Sequence, residues 1–140
     1  MFHGTPDWLE VEGQVFFLTI CCRPRGRNQL AHQIAWAAVL ETCLKYEELG
    51  YWYMRRVLAM PDHLHALVSF PREALMGRRV ASLKAWTAKV AGIEWQTGFF
   101  DHRIRHDESL EEKSRYIALN PVRAGLCETP EAWPYAWKRP

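Results

Sequence analysis

Two histidines, His63 and His65, are the residues of this chain best suited to chemistry, and a single leucine separates them. On a β-strand, side chains two positions apart point to the same face, so the two imidazoles would project together with their Cα atoms roughly 6–7 Å apart. Imidazoles at that spacing can converge on one divalent ion. Two partly buried polar residues on a sheet would give the same pattern.

The position of the histidine pair favours a shared ligand. The pair directly follows Pro61-Asp62, which suits a tight turn, and it begins what should be a central strand. An unpaired imidazole there would need a buried partner, which a bound ion supplies. Two histidines are an incomplete metal centre and require oxygen ligands from elsewhere, so we expect a loosely held Mg²⁺ or Mn²⁺ instead of structural zinc.

A second polar group lies near the C-terminal end of the sequence. Tyr116 and Asn120 are four residues apart, so a helix would carry them on one stripe together with Lys113. The neighbouring stripe is predicted to pack on the core and comprises Leu110, Ser114 and Ile117. The same spacing also fits an ordinary surface pair on a helix that ends at Asn120-Pro121.

Hydrophobic periodicity and turn residues predict the elements that position these groups. Strands are expected at 14–22, 53–60, 63–70 and 99–105. Helices are expected between Leu30 and a stop at Gly50, over about 79–91, and from a capping box at 109–112 to about Asn120. This order is a split βαβ pattern with one added helix. It predicts an α+β fold, a ferredoxin-like four-stranded antiparallel sheet with helices on one side and an extra C-terminal helix.

Composition indicates one globular domain, residues 1–140. A chain of 140 residues with 49% hydrophobic content can bury one core and is too short for two ordinary domains. We expect reduced thiols, because no CxxC pair or disulfide spacing occurs among Cys21, Cys22, Cys43 and Cys127. No apolar run approaches the roughly 20 residues that span a bilayer, so a cytoplasmic location is expected.

A family resemblance rests on two motifs, Met60-Pro-Asp-His-Leu-His65 and Tyr116-Ile-Ala-Leu-Asn-Pro-Val-Arg-Ala-Gly-Leu126. In this order they resemble the REP-associated tyrosine transposases, a group of single-tyrosine insertion-sequence transposases in the HUH endonuclease superfamily. The resemblance covers nearly the whole chain. Two departures stand out: Asp62 lies where Asn is usual, and the chain has Trp133-Pro-Tyr-Ala-Trp137 in place of the common aromatic-Pro-Trp-Ser-Ser.

The resemblance implies a role for each candidate residue. His63 and His65 would bind the metal, Tyr116 on the extra helix would be the nucleophile, and Asn120 would be a third metal ligand. The implied function is metal-dependent cleavage and joining of single-stranded, hairpin-associated DNA through a 5′-phosphotyrosine intermediate during DNA transposition. REP-like hairpins are the implied substrates, and the protein would act in the bacterial cytoplasm as a monomer or homodimer with no membrane partner.

Grouped basic side chains are the expected DNA contacts. The formal net charge is only +2, but Lys and Arg cluster along the chain, and phosphate contacts would make binding strongly salt-dependent. The candidate DNA-binding residues are Arg23, Arg25, Arg27, His102, Arg103, Arg105 and Arg123. Exposed aromatic rings could stack on unpaired bases, although most of the seven tryptophans should lie in the core.

Two other functions fit the same residues. One is a DNA-binding protein of the same descent that no longer cleaves, and the other is a metal phosphodiesterase that uses water. A hydrolase would form no covalent adduct, whereas a pure binder would need neither the metal nor Tyr116. RNA recognition is less favoured, because no strand carries the Gly-Phe pattern of RNA-recognition motifs.

Overall fold

The computed structural model of this chain describes residues 5–6, 8–9, 14–105 and 108–140. Within these ranges it forms an α+β fold built on a five-stranded antiparallel sheet. The strands are β1 (Val15–Cys21), β2 (Tyr53–Ala59), β3 (His63–Ser69), β4 (Phe100–Ile104) and β5 (Ala136–Lys138). The α-helices are α1 (Gln33–Glu48), α2 (Met76–Ala91), α3 (Leu110–Ala118) and α4 (Asn120–Arg123).

The sheet has the strand order β4-β1-β3-β2-β5, which places β3 in the middle. The prediction of four strands is wrong by one, because β5 pairs with the outer edge of β2. β5 has only three residues, too few for an alternating pattern to be recognised in the sequence. The predicted last helix also differs, since it ends at Ala118 and a separate short helix starts at Asn120, with Pro121 in its first turn.

Each face of the sheet packs against different helices. Inward side chains of β1 and β3, such as Leu18 and Leu64, form the larger core with α1 and α2. On the opposite face, Leu58 and Leu67 pack against Ile117 of α3 in a smaller core. Helices therefore cover both faces, and α3 covers the face from which His63 and His65 project.

α3 begins at the predicted capping box. Ser109 is the N-cap, and its hydroxyl accepts a hydrogen bond from the backbone N–H of Glu112 at 3.1 Å. Glu111 and Glu112 lie in the first turn, where negative charge is favourable. These features fix where α3 starts, and hence which of its residues face the sheet.

None of the helices in the described ranges is long and apolar enough to cross a membrane. The thiols are free, as expected, and all but Cys127 are buried. Burial raises the pKa of Cys22 and of Cys43 to about 12, so both stay protonated at neutral pH.

We predict that Ile117→Ala lowers the free energy of unfolding by about 2–4 kcal/mol, because Ile117 is fully buried and the shortened side chain leaves a cavity beneath α3. Urea denaturation followed by circular dichroism measures the loss. Ile34→Ala is the control, since Ile34 is 71% exposed and should change stability by less than about 0.5 kcal/mol. Equal losses in the two variants would contradict the packing of α3 on the sheet.

Candidate functional site

The two histidines of β3 lie side by side on the face covered by α3. Their ring centroids are 4.8 Å apart. His65 is buried and His63 is half-buried, whereas the intervening Leu64 belongs to the core on the other face. The alternation predicted from the His-x-His spacing is present in the structure.

A hydrogen bond holds the Nδ1 atom of each imidazole. His65 Nδ1 lies 3.1 Å from Thr19 Oγ1, and His63 Nδ1 lies 2.8 Å from Asp62 Oδ1. When Nδ1 carries the proton and donates it to these oxygens, Nε2 keeps its lone pair free. Both rings can then direct Nε2 toward a cation.

Asp62 is fixed in turn by the loop that follows β1. Its carboxylate accepts hydrogen bonds from Arg25 Nε at 3.0 Å and from the backbone N–H of Gly26 at 2.8 Å. Partial burial opposes ionisation, but the hydrogen bonds from Arg25, His63 and Gly26 prevail and hold the pKa of Asp62 well below its usual range. A permanently charged carboxylate thus orients the His63 ring.

His65 is neutral at physiological pH. Burial, assisted by the nearby His63 and Arg123, lowers the pKa of His65 to about 3. Neutral imidazole is the form that binds metal ions. Burial therefore keeps His65 competent to bind a cation even in mildly acidic solution.

Tyr116 lies on α3 and faces the same cavity as His65. Phe17 lies between them, with its ring centroid 5.3 Å from that of His65 and 6.4 Å from that of Tyr116. Tyr116 is 53% exposed, so its hydroxyl is accessible to a substrate. The cavity has a volume of about 500 Å³ and is lined by Phe17, Thr19, His65, Phe100, Asp101, His102, Lys113 and Tyr116.

Arg123 joins Tyr116 to Asn120. Its Nη2 donates to the backbone carbonyl of Tyr116 at 2.6 Å and to Asn120 Oδ1 at 2.5 Å. The guanidinium lies over the Tyr116 ring, with Cζ 4.2 Å from the ring centroid. We expected Arg123 to contact DNA, and here it positions Tyr116 and engages the side-chain oxygen of Asn120. The role of Asn120 as a third metal ligand stays a prediction.

The donor set fits a partial cation site. Among the described residues, no group of three or more His, Cys, Asp or Glu side chains is arranged to hold a metal ion. Two oriented histidines are nevertheless a suitable part of a Mg²⁺ or Mn²⁺ site whose other ligands are oxygens. A cation at His63 and His65 would therefore depend on oxygens from Asn120, water or a phosphate.

Four of the seven expected DNA-binding residues already have acidic partners. The ion pairs are Arg25 with Asp62, Arg27 with Glu94, and Arg103 with Glu73, and His102 contacts Glu108. Arg23 and Arg105 are exposed. Hydrogen bonds from the Arg105 backbone and from His102 lower the pKa of Glu108 to about 2, so that partner is ionised. A DNA-binding role for these residues stays a prediction.

Sequence reasoning missed Thr19, Phe17 and the orienting role of Asp62. Thr19 is the cross-strand partner of His65 in the pairing of β1 with β3. Phe17 lies two residues earlier on the same face of β1. The strand period could have identified Thr19 and Phe17 only once the register was known, whereas Asp62 was interpreted as a turn residue and as a departure from the family pattern.

Comparison with known proteins identifies a relative that is named as a transposase. No family model matches the chain. A protein of Haemophilus influenzae, named as a REP-associated tyrosine transposase, is 28% identical over 144 residues, covering 89% of this chain and 80% of that protein. The predicted resemblance is confirmed.

Two solved structures share the fold of this chain. A REP-associated tyrosine transposase bound to a REP hairpin aligns with a TM-score of 0.77 and 21% identity, covering 97% of this chain and 82% of that chain. A protein from Deinococcus radiodurans R1, named as a transposase, aligns with a TM-score of 0.54 and 13% identity, covering 84% of this chain and 94% of that chain. The transposase resemblance therefore extends from sequence to fold.

We predict that the free energy of unfolding, measured with chelator present, falls as the pH decreases from about 6.5 toward 4. An ordinary histidine in the unfolded chain takes up a proton near pH 6.5, whereas folded His65 resists protonation until about pH 3. Between these two pH values the unfolded chain binds one proton more than the folded protein. This difference lowers the free energy of unfolding by up to about 1.4 kcal/mol for each pH unit of acidification.

Urea denaturation at a series of pH values measures this dependence. His65→Gln should show a smaller slope between pH 6 and 4 than the parent protein. Ile34→Gln, which changes an exposed side chain and removes no titratable group, should keep the parent slope. An unchanged slope in His65→Gln would show that the buried imidazole is not its origin.

Proposed function

We propose that this protein is a metal-dependent single-stranded DNA transesterase of the HUH class, which cleaves and rejoins hairpin-associated DNA during DNA transposition in the bacterial cytoplasm. The proposal rests on one observation above all: Tyr116 and His65 line one solvent-accessible cavity of about 500 Å³. The transposase resemblance supports it. We assign β1 to β4 to a ferredoxin-like arrangement, to which β5 adds an edge strand and α3 adds the nucleophile.

In the proposed reaction, the hydroxyl oxygen of Tyr116 attacks the scissile phosphorus. Its proton passes to solvent, a bond forms between the tyrosine oxygen and phosphorus, and the bond to the 3′ oxygen of the preceding nucleotide breaks. That oxygen takes up a proton and leaves as a free 3′-hydroxyl, while the 5′-phosphate stays on Tyr116. One phosphodiester replaces another, so attack by a second 3′-hydroxyl reverses the step and joins two strands.

A free tyrosine is a poor nucleophile at neutral pH, so the surrounding charges matter. Arg123 lies over the Tyr116 ring, where its positive charge stabilises negative charge developing on the phenol oxygen. Lys113 lines the same cavity, and its ammonium group, which lies 3.3 Å from Glu108 Oε2, would exchange that carboxylate for a phosphate oxygen. These contacts position the nucleophile and attract the anionic substrate.

His63 and His65, with Asn120 as the proposed third ligand, would hold Mg²⁺ or Mn²⁺. When bound, such a cation supplies positive charge to a nonbridging oxygen of the scissile phosphate. Asp62 and Thr19 orient the two imidazoles for this role. The substrate we propose is single-stranded or hairpin DNA, and the solved relative with a TM-score of 0.77 is bound to a REP hairpin.

We predict that Tyr116→Phe abolishes cleavage but changes hairpin affinity by less than about twofold, because only one hydroxyl is removed. The protein is incubated with Mn²⁺ and 3′-labelled single-stranded DNA that contains a REP-like hairpin, then run on a denaturing gel. The parent protein should give a covalent protein–DNA adduct, and Tyr116→Phe should give none. Tyr46→Phe is the control, since Tyr46 lies on α1, across the sheet from the site.

The same gel separates the alternatives. Cleavage without an adduct would indicate a water-using phosphodiesterase, and hairpin binding without cleavage would indicate a silent DNA-binding protein. Cleavage that persists in Tyr116→Phe would reject Tyr116 as the nucleophile.

We predict that His63→Ala and His65→Ala each lower cleavage and weaken Mn²⁺ binding by tenfold or more, because each removes a ligand nitrogen. Isothermal titration calorimetry with Mn²⁺ alone measures the affinity independently of activity. His32→Asn, which keeps a capping side chain at the start of α1, should preserve both properties. Full cleavage by the parent protein in excess chelator would remove the metal from the mechanism.

A further inference from the structure

A second cavity lies on the other side of α3 from the Tyr116 cavity, beside the β2–β5 edge of the sheet, and has a volume of about 630 Å³. Four cationic side chains that line it, here called the cationic groove, are Arg55, Arg56, Arg115 and Lys138. Glu111 and Glu131 also line it, as does Arg139. Arg139 is paired with Glu47, so its charge is already matched.

The charges of the cationic groove are not matched by nearby carboxylates. Within the described ranges, none of its four cations makes an ion pair within 4.0 Å, although two carboxylates line the same cavity. Arg56 donates instead to the neutral hydroxyl of Ser114 at 2.7 Å. Arg55 has a buried Nε with no hydrogen-bond partner among the same residues. An anion in the cavity would balance the positive charge of the guanidinium groups that line it.

The pairing of β2 with β5 brings like charges of the cationic groove together, which destabilises the sheet unless an anion is bound. Arg56 and Lys138 are directly opposite each other in the antiparallel pairing of β2 with β5. Like charges in that position destabilise a sheet. Burial also lowers the pKa of Arg55 and of Arg56, so their positive charge is poorly solvated. An edge strand that places a lysine opposite a half-buried arginine suits ligand binding better than stability.

We propose that the cationic groove binds backbone phosphates of the DNA that Tyr116 cleaves, at nucleotides away from the scissile phosphate. This inference rests on the proposed function. Arg115 directly precedes Tyr116 on α3, so the groove and the nucleophile share one helix. A helix with its side chains is about 10–12 Å across, so phosphates on its two sides belong to different nucleotides.

The cationic groove is better suited to bind phosphate than the arginines that the sequence predicted as DNA contacts. Arg25, Arg27 and Arg103 each lie in an ion pair that a phosphate would have to break. Arg115 and Lys138 are exposed and unpaired within the described ranges, so they can bind phosphate and release its counterions at no such cost. Phosphate contacts of this kind fix the position of DNA without reading its sequence.

The test is hairpin DNA binding by an Arg115→Gln/Lys138→Gln variant in a Tyr116→Phe background, which prevents cleavage. Fluorescence anisotropy of a labelled single-stranded DNA with a REP-like hairpin gives the affinity between about 50 and 200 mM KCl. Each phosphate contact contributes roughly 0.7–0.9 to the slope of log affinity against log salt. We expect the groove variant to lose about 1.4–1.8 of this slope and at least tenfold in affinity at low salt.

The matched control is Arg78→Gln/Lys89→Gln in the same background. It removes the same charge from exposed positions on α2, across the sheet from the groove. We expect its slope to be unchanged and its affinity to stay within about twofold of the parent. Equal effects in the two variants would overturn the proposal, as would a parent protein with no salt-dependent binding of this DNA. The single variant Arg115→Gln, with about half the slope change, provides the test if the double variant is less stable.

Titration with inorganic phosphate distinguishes a groove that binds the DNA backbone from a groove that binds free phosphate. A groove variant that loses phosphate binding but keeps the parent affinity for DNA would overturn the DNA assignment in favour of a free phosphate site. If the proposed transesterase function is wrong, the protein that retains Tyr116 will form no covalent adduct with the DNA. An adduct together with an unchanged salt slope in the groove variant would reject the groove alone.

Discussion

The central strand β3 has a packed core on each of its faces, and this constraint determines the site. Leu64 and Val68 belong to the larger core with α1 and α2, whereas Leu67 packs against α3. A shift of one residue in the pairing of β3 would turn both imidazoles into the larger core and turn Leu64 and Val68 toward α3. Hydrophobic burial therefore fixes the face from which His63 and His65 project, and Ile117 brings Tyr116 to the same face.

A buried imidazole is costly unless its polar atoms are paired, and the neighbouring strand meets that requirement. Thr19 contacts His65 Nδ1, and Phe17 packs edge-on against the ring. Asp62 performs the corresponding role for His63, while Arg25 forms an ion pair with the Asp62 carboxylate and the backbone N–H of Gly26 donates to it. Both imidazoles are thus rigid and oriented through Nδ1, which is the organisation expected of ligands that must hold one geometry.

Local patterns in the sequence predicted β1 to β4, the capping box of α3 and the shared face of the two histidines, because each depends on residues close together in the chain. The sequence did not predict β5, since its pairing with β2 joins segments about 80 residues apart and depends on tertiary contacts. The same reason applies to Thr19 beside His65 and to the cationic groove, whose members come from three separate segments. Arg123 was predicted as a DNA contact, and its contact with Tyr116 was not predicted, because that contact arises from the break between α3 and α4.

The central claim is that two imidazoles from β3 and the phenol from α3 act around one cation and one phosphate. Anomalous diffraction at the manganese edge, from crystals grown with Mn²⁺, tests this claim most directly. We expect a single strong peak about 2.0–2.3 Å from Nε2 of both His63 and His65, with the Tyr116 hydroxyl directed into the cavity beside it. A peak bound elsewhere, or a Tyr116 ring turned away from the cavity that holds the ion, would contradict the assignment of this site.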